Sequence, residues 1–278
     1  ELVYLDLQGS IRSVPDFLEK WQRAFVAHFG LKDVPPLTAA DTWAATFEAL
    51  QPLFSKTAQV RDVKIILALD EYEELHTHLA KDPEQGAALL GAIRHFSQHQ
   101  SEVSLMFVGL RFFSELQNPN WNEYFPQSVS IQVGYLNREK TFQLLEVSTL
   151  DFEEGIKERI YDLTQGHPSL IQKIGYELVQ IANREGRRHL THTDLDTALR
   201  TMIYIQDNGV TDIFWSQNCE LPIDKDIVRA IVEGQPHPPK SRQRLRRLLE
   251  YGFIVEEGEG YRMRVPIFEE WVRRFGLE

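Results

Sequence analysis

Two adjacent carboxylates, Asp70 and Glu71, directly follow the apolar run from Ile65 to Leu69. A buried strand that delivers two acids at its C-terminal edge puts them where open α/β sheets hold their ligands. There one carboxylate can hold Mg²⁺, commonly through water, while its neighbour orients and activates an attacking water as a general base. The same pair can instead serve as acids at the start of the next helix, complementing its dipole. On these residues alone both readings stand.

Other candidates are weaker. Gly109-Leu110-Arg111 closes a second apolar run, Val103–Val108, and Arg111 reads either as an anion contact or as a surface arginine. Gly166-His167-Pro168 is a helix-to-helix turn, with Gly166 ending one helix and Pro168 opening the next. His167, His189, His192 and His237 lack metal-ligand spacing. His76 and His78, two apart on a helix, point to different faces and read as surface residues. No Ser/His/Asp nucleophile arrangement stands out.

The elements that must position these residues alternate. Val3–Leu7 reads as a strand and Ser13-Val14-Pro15 opens a helix with Ser13 as N-cap. Phe17, Leu18, Trp21, Phe25 and Phe29 line that helix, and Gly30 ends it. A second helix is predicted from about Ala39 to Leu50, a strand over Val63–Leu69, a helix from Pro83 to Gln98, a strand over Val103–Val108 and a fourth over Ser128–Val133. Strands alternating with helices indicate a parallel α/β sheet. After Leu136 the pattern turns helical, over about 137–147, 153–164, 168–184 and 192–204, with no strand between. Residues 223–278 read helix, helix, two short strands, helix, the winged-helix order, with Glu257-Gly258-Glu259 as the hairpin turn. The domains expected are therefore 1–135, 136–208 and 209–278.

Composition bounds the function. The 278 residues, 42% hydrophobic and 26% charged, suit about two globular domains. No apolar run approaches the ~20 residues of a membrane span, so no membrane partner is expected. Glu1-Leu2-Val3-Tyr4-Leu5 has no basic flank of a signal peptide and reads as an internal segment. The single cysteine, Cys219, offers neither a disulfide nor a cysteine metal site within the chain, and a reducing cytoplasm is the expected compartment. A net charge of −11 argues against general nucleic-acid binding. Residues 236–278 are nonetheless +2, with basic residues gathered in Lys240-Ser241-Arg242-Gln243-Arg244-Leu245-Arg246-Arg247. Leu245, Leu248 and Leu249 mark the buried face of that helix, and the arginines its outer one.

The order of these segments resembles the signal-transducing (STAND) and related AAA-like P-loop ATPases, over nearly the whole chain from Leu2 to Phe275. In that resemblance Lys64–Glu71 is the Walker B strand and Val103–Arg111 the sensor 1 strand. The Leu136–Leu145 helix start opens a helical lid, and Gly166-His167-Pro168 is the lid turn that leans over the nucleotide base. The resemblance implies Asp70 for Mg²⁺, Glu71 as the catalytic base, and Gly166, His167, Pro168 and Arg111 towards ATP or ADP. It further implies a regulatory switch ATPase acting on fused or associated effector and sensor domains, with homo-oligomer formation on activation. The chain departs from the pattern twice. A polar sensor residue is expected at the end of the Val103 strand, where only Arg111 is available; Arg138, on the first lid helix, reads as solvated. Gly-x-x-x-x-Gly-Lys-Ser/Thr occurs nowhere in the sequence. Because Val3–Leu7 matches the second strand of the family, the first strand and its P-loop are expected immediately upstream, and the chain alone is not expected to hydrolyse ATP. Two rivals remain: a DNA-associated AAA-like protein using Arg242–Arg247, and a nucleotide-free interaction scaffold.

Overall fold

Apolar β-branched and leucine-rich runs build three parallel strands, β1 (Leu2–Asp6), β2 (Ile65–Asp70) and β3 (Val103–Val108), in the spatial order β1-β2-β3. They belong to a computed structural model that describes residues 1–146, 149–205, 215–216, 219–235 and 241–276. The register aligns Asp6 with Asp70 and Asp70 with Val108, so all three strands end in one row. The chain gathers into two units, Glu1–Ser130 and Ile131–Glu278.

In the first unit, helix α1 (Val14–Phe29) starts where the Ser13 side chain accepts the Asp16 N–H, and stops at Gly30 in the left-handed conformation. Helix α2 (Trp43–Arg61) is capped by Thr42 and ends at Asp62. It begins later and runs further than its sequence pattern suggests, passing through Pro52. Helix α3 (Tyr72–Leu79) follows β2 directly, α4 (Pro83–His99) is capped by Asp82, and the single turn α5 (Trp121–Tyr124) is capped by Asn120. Phe17, Trp21, Phe25, Phe47, Phe54 and Phe96 from α1, α2 and α4 form an aromatic core with Val3, Ile65, Leu67, Leu69 and Val103 of the sheet.

The opposite face of the sheet is bare. Leu2, Tyr4, Ile66 and Met106 are each between 42 and 53% exposed. The cause is topological. Each step from β1 to β2 to β3 moves the same way across the sheet, and right-handed crossovers then place every connecting helix on one side. The run Ile65–Leu69, apolar at successive positions, is composed for cover on both faces and has it on one.

The expected fourth strand over 128–133 does not form: those residues join no ladder, and Val129, Ile131 and Val133 are at least 80% exposed. Their alternation is strand-like, but a strand needs a neighbour, and among the described residues β3 pairs with β2 alone.

In the second unit, α6 (Arg138–Glu146), α7 (Ile156–Thr164), α8 (Pro168–Glu185) and α9 (His192–Arg200) follow the helical periodicity of the sequence. A two-residue parallel pair was not visible there: β4 (Asp151–Phe152) lies against β5 (His189–Leu190), too short to show a period. Helices Pro222–Val232 and Arg242–Glu250, the antiparallel hairpin β6 (Ile254–Glu257) and β7 (Gly260–Met263), and helix Pro266–Trp271 complete it. One apolar core joins Ile160, Ile174 and Leu195 to Ile227, Leu248, Phe253 and Phe268. The domain boundary expected at 208/209 falls outside the described residues, as do His237 and Lys240.

Candidate active site

β2 carries Asp70 to the C-terminal edge of the sheet, between Asp6 and Val108. One oxygen of Asp70 accepts the Glu71 N–H at 3.0 Å, and the other accepts the Tyr4 hydroxyl at 2.5 Å. That hydrogen bond, together with desolvation and the charges of Asp70, Asp6 and Glu71, pushes the Tyr4 phenol up to about 12. The Asp70 carboxylate is thus oriented from both sides.

Glu71 adopts φ 56° and ψ 46°, the left-handed region that a residue with a Cβ seldom enters. Such backbone costs about 1–3 kcal/mol and collects where function over-determines geometry. Although Glu71 stands at the N-cap position of α3, its side chain caps nothing. Desolvation raises the pKa of its carboxyl, helped by the negative charges of Glu73, Asp70, Asp6 and Glu74. A carboxylate not engaged in capping and made more basic is suited to accept a proton from water.

Arg111 lies just past β3 in the same unit, and its backbone is held by the first turn of α3. Its N–H donates to Glu73 Oε1 at 2.6 Å, and its carbonyl accepts from the Tyr72 hydroxyl. Tyr72 itself packs edge-on against Phe107 and Phe113. Glu73 was not singled out in the sequence; the signal was the acid-rich Asp70-Glu71-Tyr72-Glu73-Glu74 string, which composition alone does not resolve into roles. His76 is not a plain surface residue either, since its Nδ1 accepts the Trp121 indole N–H at 3.1 Å.

Gly166, His167 and Pro168 belong to the second unit. Gly166 has φ 82°, its carbonyl accepts the Leu136 N–H at 2.8 Å, and a Cβ there would overlap the Leu136 carbonyl. Only glycine fits. His167 precedes Pro168, the first residue of α8, and its ring lies 5.0 Å from that of Tyr135. Burial lowers the His167 pKa, keeping the imidazole neutral at physiological pH. Arg138 pairs with Glu158 at 3.3 Å and is exposed.

The carboxylates fit Mg²⁺ in the manner of phosphate-bound magnesium, where one or two acids and several waters suffice. Among the described residues no group of three or more His, Cys, Asp or Glu side chains forms a complete ligand set. No sequence of the phosphate-cradling type is present in the 278 residues.

No family model matches the sequence, and no curated protein matches it significantly. Solved structures do. A Walker-type ATPase of Pyrococcus abyssi superposes with a TM-score of 0.60 at 18% identity, covering 98% of this chain and 84% of that one. The ORC2 protein of Aeropyrum pernix, in complexes with ADPNP and ADP, superposes with a TM-score of 0.56 at 12% identity, covering 100% and 79%. The fold is that of the AAA-like P-loop ATPases. At these identities the likeness fixes architecture and leaves chemistry to the site. No helix among the described residues is long and apolar enough to cross a membrane.

Proposed function

We propose that this chain is the core of a nucleotide-dependent regulatory switch ATPase of the signal-transducing type, whose phosphate-binding loop comes from a strand–loop–helix segment preceding β1. The observation that carries the reading is the Asp70–Glu71 pair: one carboxylate oriented by Tyr4, the next on strained backbone and engaged in no cap. Asp70 serves Mg²⁺, Glu71 the attacking water and Arg111 the terminal phosphate. ATP supplies the phosphoanhydride that is cleaved to ADP and phosphate. The winged helix, expected over residues 209–278, serves protein contact, with effector or sensor domains attached to the module.

The bare sheet face supports the added segment. A strand preceding β1 whose helix covers Leu2, Tyr4, Ile66 and Met106 must enter β1 by a right-handed crossover. Connections on the opposite face run the opposite way, so that strand adds at the free edge of β3. The strand order then reverses beside β3, and ligands of α/β sheets bind at such a reversal. Arg111 and the Asp70–Glu71 pair stand at that end. The strand-like residues 128–133 would gain a neighbour from the same addition.

A DNA role through the basic helix is disfavoured by its ion pairs. Arg244 forms two 2.6 Å bonds to the fully buried Asp224, Arg246 pairs with Glu250 at 2.6 Å, and the buried Arg247 lies 3.5 Å from Glu220. Charges already paired with carboxylates release few counterions from phosphate.

The test compares the full-length protein with residues 1–278 by titration calorimetry and single-turnover hydrolysis. ATP–Mg²⁺ should bind the full-length protein alone. In it, Glu71→Gln should keep binding and slow hydrolysis by about 10² to 10⁴-fold, while Asp70→Ala should also weaken Mg²⁺-dependent binding. Normal turnover by Glu71→Gln would return the pair to a structural role. A full-length protein blind to ATP would leave the scaffold, and steeply salt-dependent DNA affinity would favour the DNA reading.

A further inference from the structure

β1 and β2 end in carboxylates, Asp6 and Asp70, whereas β3 ends in Val108, with Gly109 next. Yet a carboxylate stands there. Glu73 reaches across from α3, and a Cβ on Gly109 would overlap both of its oxygens. The backbone of Gly109 lies outside the left-handed region, so its lack of a side chain answers to the space Glu73 fills and to no torsional need. Oε1 of Glu73 accepts the Arg111 N–H at 2.6 Å, while Oε2 is buried without a hydrogen-bond partner among the described residues. The next residue towards β2, Tyr72, holds the other side of the same peptide region through the Arg111 carbonyl. Residues 70 to 73 and 109 to 111 are therefore one braced unit.

We infer that Glu73 is a positioning residue, which takes the place of a side chain at 109 and fixes the Arg111 loop relative to the Asp70–Glu71 pair. It rests on the ATPase reading for its purpose, and on geometry alone for its existence. Anchoring also leaves Oε2 facing the strand ends, where a buried unsatisfied carboxylate oxygen is costly unless a donor arrives with ligand or water.

The experiment uses the full-length protein with Glu73→Ala, Glu73→Gln and Gly109→Ala, reading amide hydrogen exchange at Arg111, nucleotide affinity and turnover. Glu73→Ala should speed exchange at Arg111 by at least about tenfold, the scale of one lost hydrogen bond. Turnover should fall by at least about tenfold with ATP affinity held within about threefold, since orientation and not binding is lost. Gly109→Ala, which displaces the carboxylate from the other side, should reproduce both effects. Glu73→Gln keeps an acceptor oxygen for the Arg111 N–H and should stay near wild type in exchange and turnover. Unchanged exchange in Glu73→Ala, or faster exchange with unchanged turnover, overturns the inference. So does a Glu73→Gln protein that is protected yet as slow as Glu73→Ala, because charge and not position would then be the cause. A wild-type protein that neither binds nor hydrolyses ATP removes the ATPase reading instead, and the exchange measurement still decides whether the brace exists.

Discussion

At the scale of single residues, Glu71 shows how far a sequence can be read. Its place after an apolar run was legible, and with Asp70 it offered two meanings, catalysis or capping. Its backbone was not legible, because a left-handed glutamate leaves no mark in composition or period. The conformation separates the two meanings physically and can be probed without any assay of activity. Valine at 71 is β-branched and should lower stability by about 1–3 kcal/mol. Glycine enters the left-handed region freely and gives back only about 0.5–1 kcal/mol of chain entropy, so Glu71→Gly should melt at or near the wild-type temperature. Thermal melts of the two variants check this, and a valine variant as stable as the glycine one would remove the strain argument. Glu73 lay in the same acidic string and was missed, since its role depends on a glycine 36 positions away.

At the scale of elements, caps and breakers were the readable part. Ser13, Gly30, Gly166 and Pro168 act as their types dictate. The strand over 128–133 was misread because alternation marks a segment able to pair, and pairing is decided elsewhere in the chain. The cap at the start of α9 was also unread. There Asp194 accepts from the Thr191 N–H at 2.7 Å and the Thr191 hydroxyl at 2.9 Å, and pairs with Arg187 at 2.6 Å. The Arg187 bond foremost, with the Thr191 bonds, outweighs desolvation and lowers the Asp194 pKa from 3.8 to about 2. A carboxyl whose folded pKa is depressed stabilises the fold fully above its unfolded value and loses that contribution as pH falls through the folded one. The second unit should therefore lose stability between about pH 4 and pH 2. Asp194→Asn should cost about 1–3 kcal/mol at neutral pH and show a shallower acid decline. Urea titrations at pH 7, 4 and 2 test both, and an equally steep decline in the variant would exclude Asp194 as its source.

At the scale of the molecule, the alternation of strands and helices was enough to indicate a parallel α/β sheet, the order of the segments supplied the resemblance to AAA-like ATPases, and the bare face needed coordinates. The shared core of the second unit reaches further. Leu145, Ile160 and Ile174 of the helices before residue 206 contact the same apolar mass as Phe253, Phe268 and Val272 near the C-terminus. Neither half encloses that mass alone, so the two should melt as one cooperative body. Ile174→Ala and Phe268→Ala, though far apart in sequence, should each lower a single calorimetric transition by the several degrees that a large core truncation brings. Two transitions, only one of them moved by each variant, would show a seam. Without a seam, the helices that carry His167 and the hairpin that carries Gly258 travel together, and a motion started at one is delivered to the other undiminished, as along a rigid lever.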